Sequence, residues 1–171
     1  WEAVYDEFAG ELPRAAVQLQ VPPNPERAID MLNRFGRTTG DGKEWLRVGP
    51  MKFFVDGGYT GAAAWTLEPY RGQPGYFGTG ALIDEAGLYE ISKAAHDLGW
   101  QMGFHTIGDA AIKMTVDVWS RLIEESPRVD HRHYLNHFTV RPPAETMQKM
   151  ADHNIHIAQQ PNFTYTLEGR Y

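Results

Sequence analysis

The sequence predicts an α/β fold built on a parallel sheet. Five strand-like segments alternate with helix-like ones along the 171 residues. The helix-like segments carry apolar residues at three- and four-residue spacing, whereas the strand-like ones are short and bounded by Gly, Pro, Asn or Asp. Two architectures satisfy this pattern: a doubly wound open sheet, or part of a barrel. No Gly-rich phosphate fingerprint follows the first strand, which counts against a dinucleotide-binding sheet.

The first strand is expected at 15–21, where Ala-Ala-Val-Gln-Leu-Gln-Val alternates towards its end before Pro22-Pro23 stops it. Asn24 then offers a helix cap, Pro25 suits the first helical position, and Ile29, Leu32 and Phe35 give one apolar face ended by Gly36. After a polar loop, 46–55 returns to strand with a bend at Gly49-Pro50 and ends in Asp56-Gly57-Gly58. Residues 57–86 lack helical spacing and are rich in Gly, Pro and Tyr. A loop of that length inside an α/β pattern reads as functional, and Trp65, Tyr70, Tyr76 and Phe77 give it aromatic surface.

Leu88, Ile91, Ala94, Ala95 and Leu98 predict the next helix, closed by Gly99, and strand 100–105 follows. A helix from about Asp109 is expected to bury Ala111, Met114, Val118 and Leu122. Strand 131–137 comes next, then a helix opened by Pro142-Pro143 with Met147, Met150 and Ala151 on its apolar face. The last strand, 155–160, stops at Pro161. The spacing predicts these five strands to be mutually parallel neighbours in chain order.

Composition narrows the function. The net charge is −6 and no basic stripe accompanies the aromatics, so nucleic acid is not an expected partner. No apolar run approaches the length of a membrane span. The absence of cysteine removes disulfides and thiolate metal sites, leaving His, Asp, Glu and Lys as donors. A cytoplasmic location is the expectation.

In a parallel α/β protein functional groups gather where strands end. Lys52 and Asp56 stand on the second strand, His105 ends the third and Asn136-His137 end the fourth. Alternation would place Lys52, Phe54 and Asp56 on one face, and His133, Leu135 and His137 together on another. Two imidazoles and a lysine from three successive strands converging on one site is the sharp reading. The bland readings are a turn-opening role for Asp56, a helix N-cap at Asp109, and surface or strand-start positions for His96, His131, His153 and His156, with His133 deeper in the barrel.

The ordered set Met51-Lys52-Phe53-Phe54-Val55-Asp56-Gly57, Glu68-Pro69-Tyr70, His105-Thr106-Ile107-Gly108-Asp109-Ala110-Ala111, His137 and Gln159-Gln160-Pro161-Asn162-Phe163 resembles the deformylase-like branch of the amidohydrolase superfamily, which includes N-substituted formamide deformylases. The resemblance runs from about Pro13 onward. It implies a (β/α)₈ barrel, of which this chain would hold about strands three to seven. It also implies an enzyme with a small-molecule substrate, a metal-dependent hydrolase of carbon–nitrogen bonds in amide-like, non-peptide compounds. Lys52 would be carbamylated, and Lys52, His105 and His137 would hold one or two divalent ions, zinc the expected metal. Tyr70 and Gln160 would face substrate. A His-x-His pair would precede Trp1 and the acid–base carboxylate would follow Tyr171, so the 171 residues alone are expected to be incomplete and inactive; Glu168 is the one acidic residue past Gln160. The sequence departs from its resemblance at Ala110, where Arg is common, and at Asn136, where Glu is common. A metal-dependent isomerase or decarboxylase, and a non-catalytic barrel scaffold, are the rival functions.

Overall fold

A computed structural model describes residues 1–167; Glu168 lies outside the described residues. Strands β1 (Ala15–Gln20), β2 (Leu46–Phe54), β3 (Met102–Thr106), β4 (Tyr134–His137) and β5 (His156–Gln159) form one sheet in the order β1-β2-β3-β4-β5. All four pairings are parallel. The order never reverses, so the switch point of a doubly wound sheet is missing, and the architecture is that of a partial TIM-type barrel. The outer strands carry exposed apolar side chains, with Val17 41% and Ile157 48% accessible.

The helices are α1 (Glu2–Glu7), α2 (Pro25–Phe35), α3 (Glu85–Asp97), α4 (Asp109–Glu125), α5 (Ala144–Asp152) and α6 (Asn162–Leu167). Asn24 caps α2 by accepting from the Arg27 N–H at 2.9 Å, a contact worth about 1 kcal/mol, and Gly36 ends the helix at φ 66°. Helix α3 starts before its apolar spacing does, because Asp84 accepts from the Gly87 N–H at 2.9 Å and so fixes a polar first turn. Helices α1 and α6 were not expected from the sequence: six residues each give too few turns for a periodic signal.

The sheet has two unlike faces. Met51, Phe53, Met102, Phe104 and Leu135 are fully buried in one core with Leu88 and Ile91 of α3 and Ile112 and Trp119 of α4. Each such side chain contributes about 1.5–3 kcal/mol by leaving water. The alternate positions, Lys52, Phe54, Gly103, His105, Tyr134 and Asn136, are in register across β2, β3 and β4 on the opposite face. Gly103 is required there, because an added Cβ would lie 2.5 Å from the Tyr134 ring, which crosses β3 to let its hydroxyl accept from Gln18 Nε2 at 3.1 Å.

Strand β4 begins three residues later than expected. Arg132 takes a left-handed φ of 52°, which breaks the extended run, and the His133 N–H is spent on His131 Nδ1 at 3.0 Å rather than on a ladder. This local turn corrects the expected histidine roles. His96 and His131 are buried rather than at the surface, and His133, buried as expected, faces the helices rather than the barrel interior. Their hydrogen bonds run in one direction. The Met102 N–H donates to His133 Nδ1 at 3.1 Å, which puts the His133 proton on Nε2, where it is donated to His96 Nδ1 at 2.9 Å. His96 Nε2–H then donates to the Ser126 carbonyl at 2.8 Å, and His131 Nε2–H donates to the His153 carbonyl at 2.9 Å. All three rings are therefore neutral. Burial first, aided by charge repulsion from Arg128 among their neighbours, lowers all three and takes His133 to about 2.

Candidate metal centre

Lys52 projects from β2 on the open face, largely buried, with its Nζ 5.2 Å from the centre of the Phe54 ring. Among the described residues it has no anionic partner, and burial alone lowers its amine to about 8. His105, on β3, is 4.7 Å from the Phe54 ring and 4.6 Å from the His137 ring, centre to centre. Lys52 and His105 thus both lie against the Phe54 ring, and His137 lies against His105.

His137 reaches that group by a route the alternation rule does not give. Its register partner is Thr106 on β3, and in continuous strand it would follow Leu135 towards the helices. Instead His137 has φ 76° and Phe138 φ 48°, and the Phe138 N–H donates back to the Asn136 carbonyl at 3.0 Å. A left-handed residue at the centre of so tight a turn is costly for any side chain with a Cβ. The turn swings the imidazole to the His105 side. The expected sharing of a face by His133, Leu135 and His137 is corrected accordingly. His137→Gly should therefore be more stable than His137→Ala by about 0.5–1 kcal/mol, the backbone relief less the extra chain entropy of Gly. Urea unfolding of the two variants measures this; an Ala variant as stable as the Gly variant would show that the turn is unstrained.

Each of the two rings commits one nitrogen to the protein. His137 Nδ1–H donates to Gln160 Oε1 at 2.8 Å, leaving Nε2 with a free lone pair. His105 Nε2–H donates to the Gly57 carbonyl at a long 3.4 Å, leaving Nδ1 free. Burial, reinforced by His137 and Lys52, lowers His105 to about 4, and burial with Lys52 also lowers His137, so both rings are neutral at pH 7. Neutral imidazoles with one oriented lone pair are the donor state zinc requires. The described residues contain no grouping of three His, Cys, Asp or Glu side chains fit to hold a metal. Lys52 is a further candidate donor beside the two rings, once its amine has lost its proton.

The wall of the site is the segment between β2 and α3. It is tied down from inside: Tyr70 O–H donates to the Ala64 carbonyl at 2.9 Å and Tyr76 O–H to the Ala62 carbonyl at 2.8 Å. Burial first, then the neighbouring Tyr59, raises the Tyr70 phenol to about 12. Tyr70 thus offers a ring rather than a hydroxyl to anything beyond. Asp109 is not the cap of α4, a position held by Gly108; its Oδ1 accepts from the Leu67 N–H at 2.9 Å and holds the same segment. Gly108 is pressed so close to this segment that an added Cβ would sit 1.8 Å from the Trp65 carbonyl oxygen. Asp56 does more than open a turn: it is 1% accessible and accepts three backbone N–H groups. Sequence reasoning missed that role, for which the spacing Lys52-x-Phe54-x-Asp56 was the only signal.

Known proteins resemble this chain in sequence and in fold. The chain is 29% identical to "Putative amidohydrolase YtcJ" of Bacillus subtilis (strain 168) over 137 residues, 80% of this chain and 24% of that protein. It is 31% identical to "Protein LONG AFTER FAR-RED 3" of Arabidopsis thaliana over 94 residues, 55% of this chain and 16% of that protein. The chain therefore spans about a quarter or less of the curated relatives it matches. Among solved structures, an uncharacterized metal-dependent hydrolase from Pyrococcus furiosus shares the fold with a TM-score of 0.71 at 24% identity, covering 96% of this chain and 32% of that one. A second, from Pyrococcus horikoshii OT3, gives a TM-score of 0.69 at 22% identity, covering 94% and 30%. No helix among the described residues is long and apolar enough to cross a membrane. The model of the amidohydrolase family matches residues 7–171, nearly the whole chain with all five strands, and the chain belongs to that family.

Proposed function

We propose that this chain carries part of the centre of a metal-dependent hydrolase that cleaves carbon–nitrogen bonds in amide-like, non-peptide substrates, in the deformylase-like branch of its family. The observation that carries the reading is the pair His105 and His137. Two neutral rings with centres 4.6 Å apart each keep one nitrogen hydrogen-bonded to protein oxygen and the other free. A strained backbone at His137, φ 76°, is what puts it there, and strain of that kind persists where a site needs it.

In this reading Lys52, His105 and His137 hold one or two divalent ions, zinc the expected metal. Such an ion supplies Lewis acidity, polarising a carbonyl and easing deprotonation of water. The chain's own residues do the rest. Burial keeps the Lys52 amine near 8, so a useful fraction is uncharged at neutral pH. The neutral amine adds carbon dioxide at its nitrogen, releases one proton and becomes a carbamate anion able to face two cations. Gln160, expected to touch substrate, fixes the tautomer and plane of His137. Tyr70 and the aromatic segment around it form an apolar wall for a small organic substrate.

Lys52→Ala tests the lysine. Activity of the native protein should fall steeply and return in part with millimolar formate, acetate or propionate, which replace the anion but not the stem. Loss without any rescue, and no dependence of the unsubstituted protein on bicarbonate, would sink the carbamate.

A further inference from the structure

Asp56 lies two residues past the end of β2, and its carboxylate gathers three N–H groups from two distant segments. Oδ1 accepts from Ile107 at 3.0 Å, and Oδ2 accepts from Gly108 at 2.8 Å and from Trp65 at 3.0 Å. Ile107 and Gly108 join β3 to α4, two and three residues after His105. Trp65 belongs to the wall segment, whose backbone is pressed onto Gly108. The same Oδ1 is 3.8 Å from His105 Nε2, and the adjoining Gly57 carbonyl accepts from that nitrogen. One side chain therefore touches the strand end that bears His105, the start of α4 and the wall of the site.

We propose that Asp56 is a positioning residue, which fixes the His105 ring and the Trp65 wall as one unit and so sets the free nitrogen of His105 before a metal arrives. The inference rests on the reading of His105 as a ligand only for its consequence, metal affinity; the positioning itself is a property of the metal-free protein. A carboxylate suits the task because three donors need acceptor lone pairs on both oxygens. Asparagine keeps the shape but has one oxygen, so Asp56→Asn turns an amide NH₂ against at least one N–H. Hydrogen bonds to a buried anion are stronger than neutral ones, which makes the loss local but large.

The test compares the native protein with Asp56→Asn, both metal-free, by ring-nitrogen NMR of the histidines and by amide hydrogen exchange, and then titrates each with zinc ion alone. In the variant the His105 ring signals should shift or broaden while those of His131 and His133, on the other face, stay in place. The Trp65, Ile107 and Gly108 amides should together exchange about tenfold faster or more. Zinc affinity should fall about 10- to 100-fold, the range for loss of an outer-shell partner. An unchanged His105 ring, or a shift spread equally to His133, overturns the proposal. If the native protein binds no zinc, the ligand reading fails, and the ring and exchange data still decide whether Asp56 positions His105. Should Asp56→Asn not fold, exchange in the native protein decides: the three amides should open with one common rate, and three independent rates would refute the coupling.

Discussion

His105→Ala is expected to abolish both metal retention and hydrolysis in the native protein. His105 is 8% accessible, and it lies against four neighbours: the Phe54 ring, the His137 ring, the Gly57 carbonyl and the Asp56 carboxylate. Removal of an outer-shell partner already costs about 10- to 100-fold, so loss of a ligand should exceed about 100-fold in zinc affinity. The fold should survive, because His105 faces away from the core that holds α3 and α4 to the sheet. Metal content after dialysis and turnover measure the outcome, with circular dichroism confirming the fold. A variant that keeps its metal and its activity would remove His105 from the centre and with it the proposed function.

The second large effect is acid destabilisation through His96, His131 and His133. Their folded-state values lie below that of a free histidine, His133 at about 2. A group lowered in this way gives its full stability above pH 6.5, where both folded and unfolded forms are neutral. Below pH 6.5 the unfolded chain takes up protons that the folded one refuses, and stability falls. For His133 alone the slope approaches about 1.4 kcal/mol per pH unit below pH 6.5, a loss of about 2 kcal/mol from pH 6.5 to 4.5. That is a large part of the stability of an ordinary domain, about 5–15 kcal/mol. Arg128 prevents any easy accommodation of the charge: its guanidinium already donates to the carbonyls of His96, Trp100 and His131 at 2.9, 2.6 and 3.3 Å. Urea unfolding across that pH range should show the fall, and His133→Gln, which cannot take up the proton, should flatten it. A wild-type profile flat between pH 6.5 and 4.5 would contradict the buried neutral network.

The two effects are separable because they lie on opposite faces of one sheet. The centre depends on Lys52 and His105, which alternate out of the core, and on His137, which a turn brings to their side, whereas the acid response depends on buried groups on the helix side. Metal removal should therefore leave the slope contributed by His133 in place.

The sequence by itself determined the parallel order, most element positions and the sheet face on which Lys52 and His105 stand. These follow from short-range rules. Met51, Phe53, Met102 and Phe104 alternate with Lys52, Phe54, Gly103 and His105, and that period assigns faces wherever the strand is regular. Asn24, Pro25 and Gly36 mark α2 through local hydrogen bonds and local torsions. Only the tertiary structure decided the rest, because it depends on segments far apart in the chain. His137 joins His105 through left-handed torsions at 137 and 138, which no alternation pattern encodes. His133 is neutral because Met102 and His96, on other elements, complete its hydrogen bonds. Asp56 reads locally as a turn opener, and becomes the anchor of the site only when folding delivers the N–H groups of Trp65, Ile107 and Gly108 to its carboxylate. A sequence states which donors and acceptors a residue owns, and the packing of distant segments decides which of them meet.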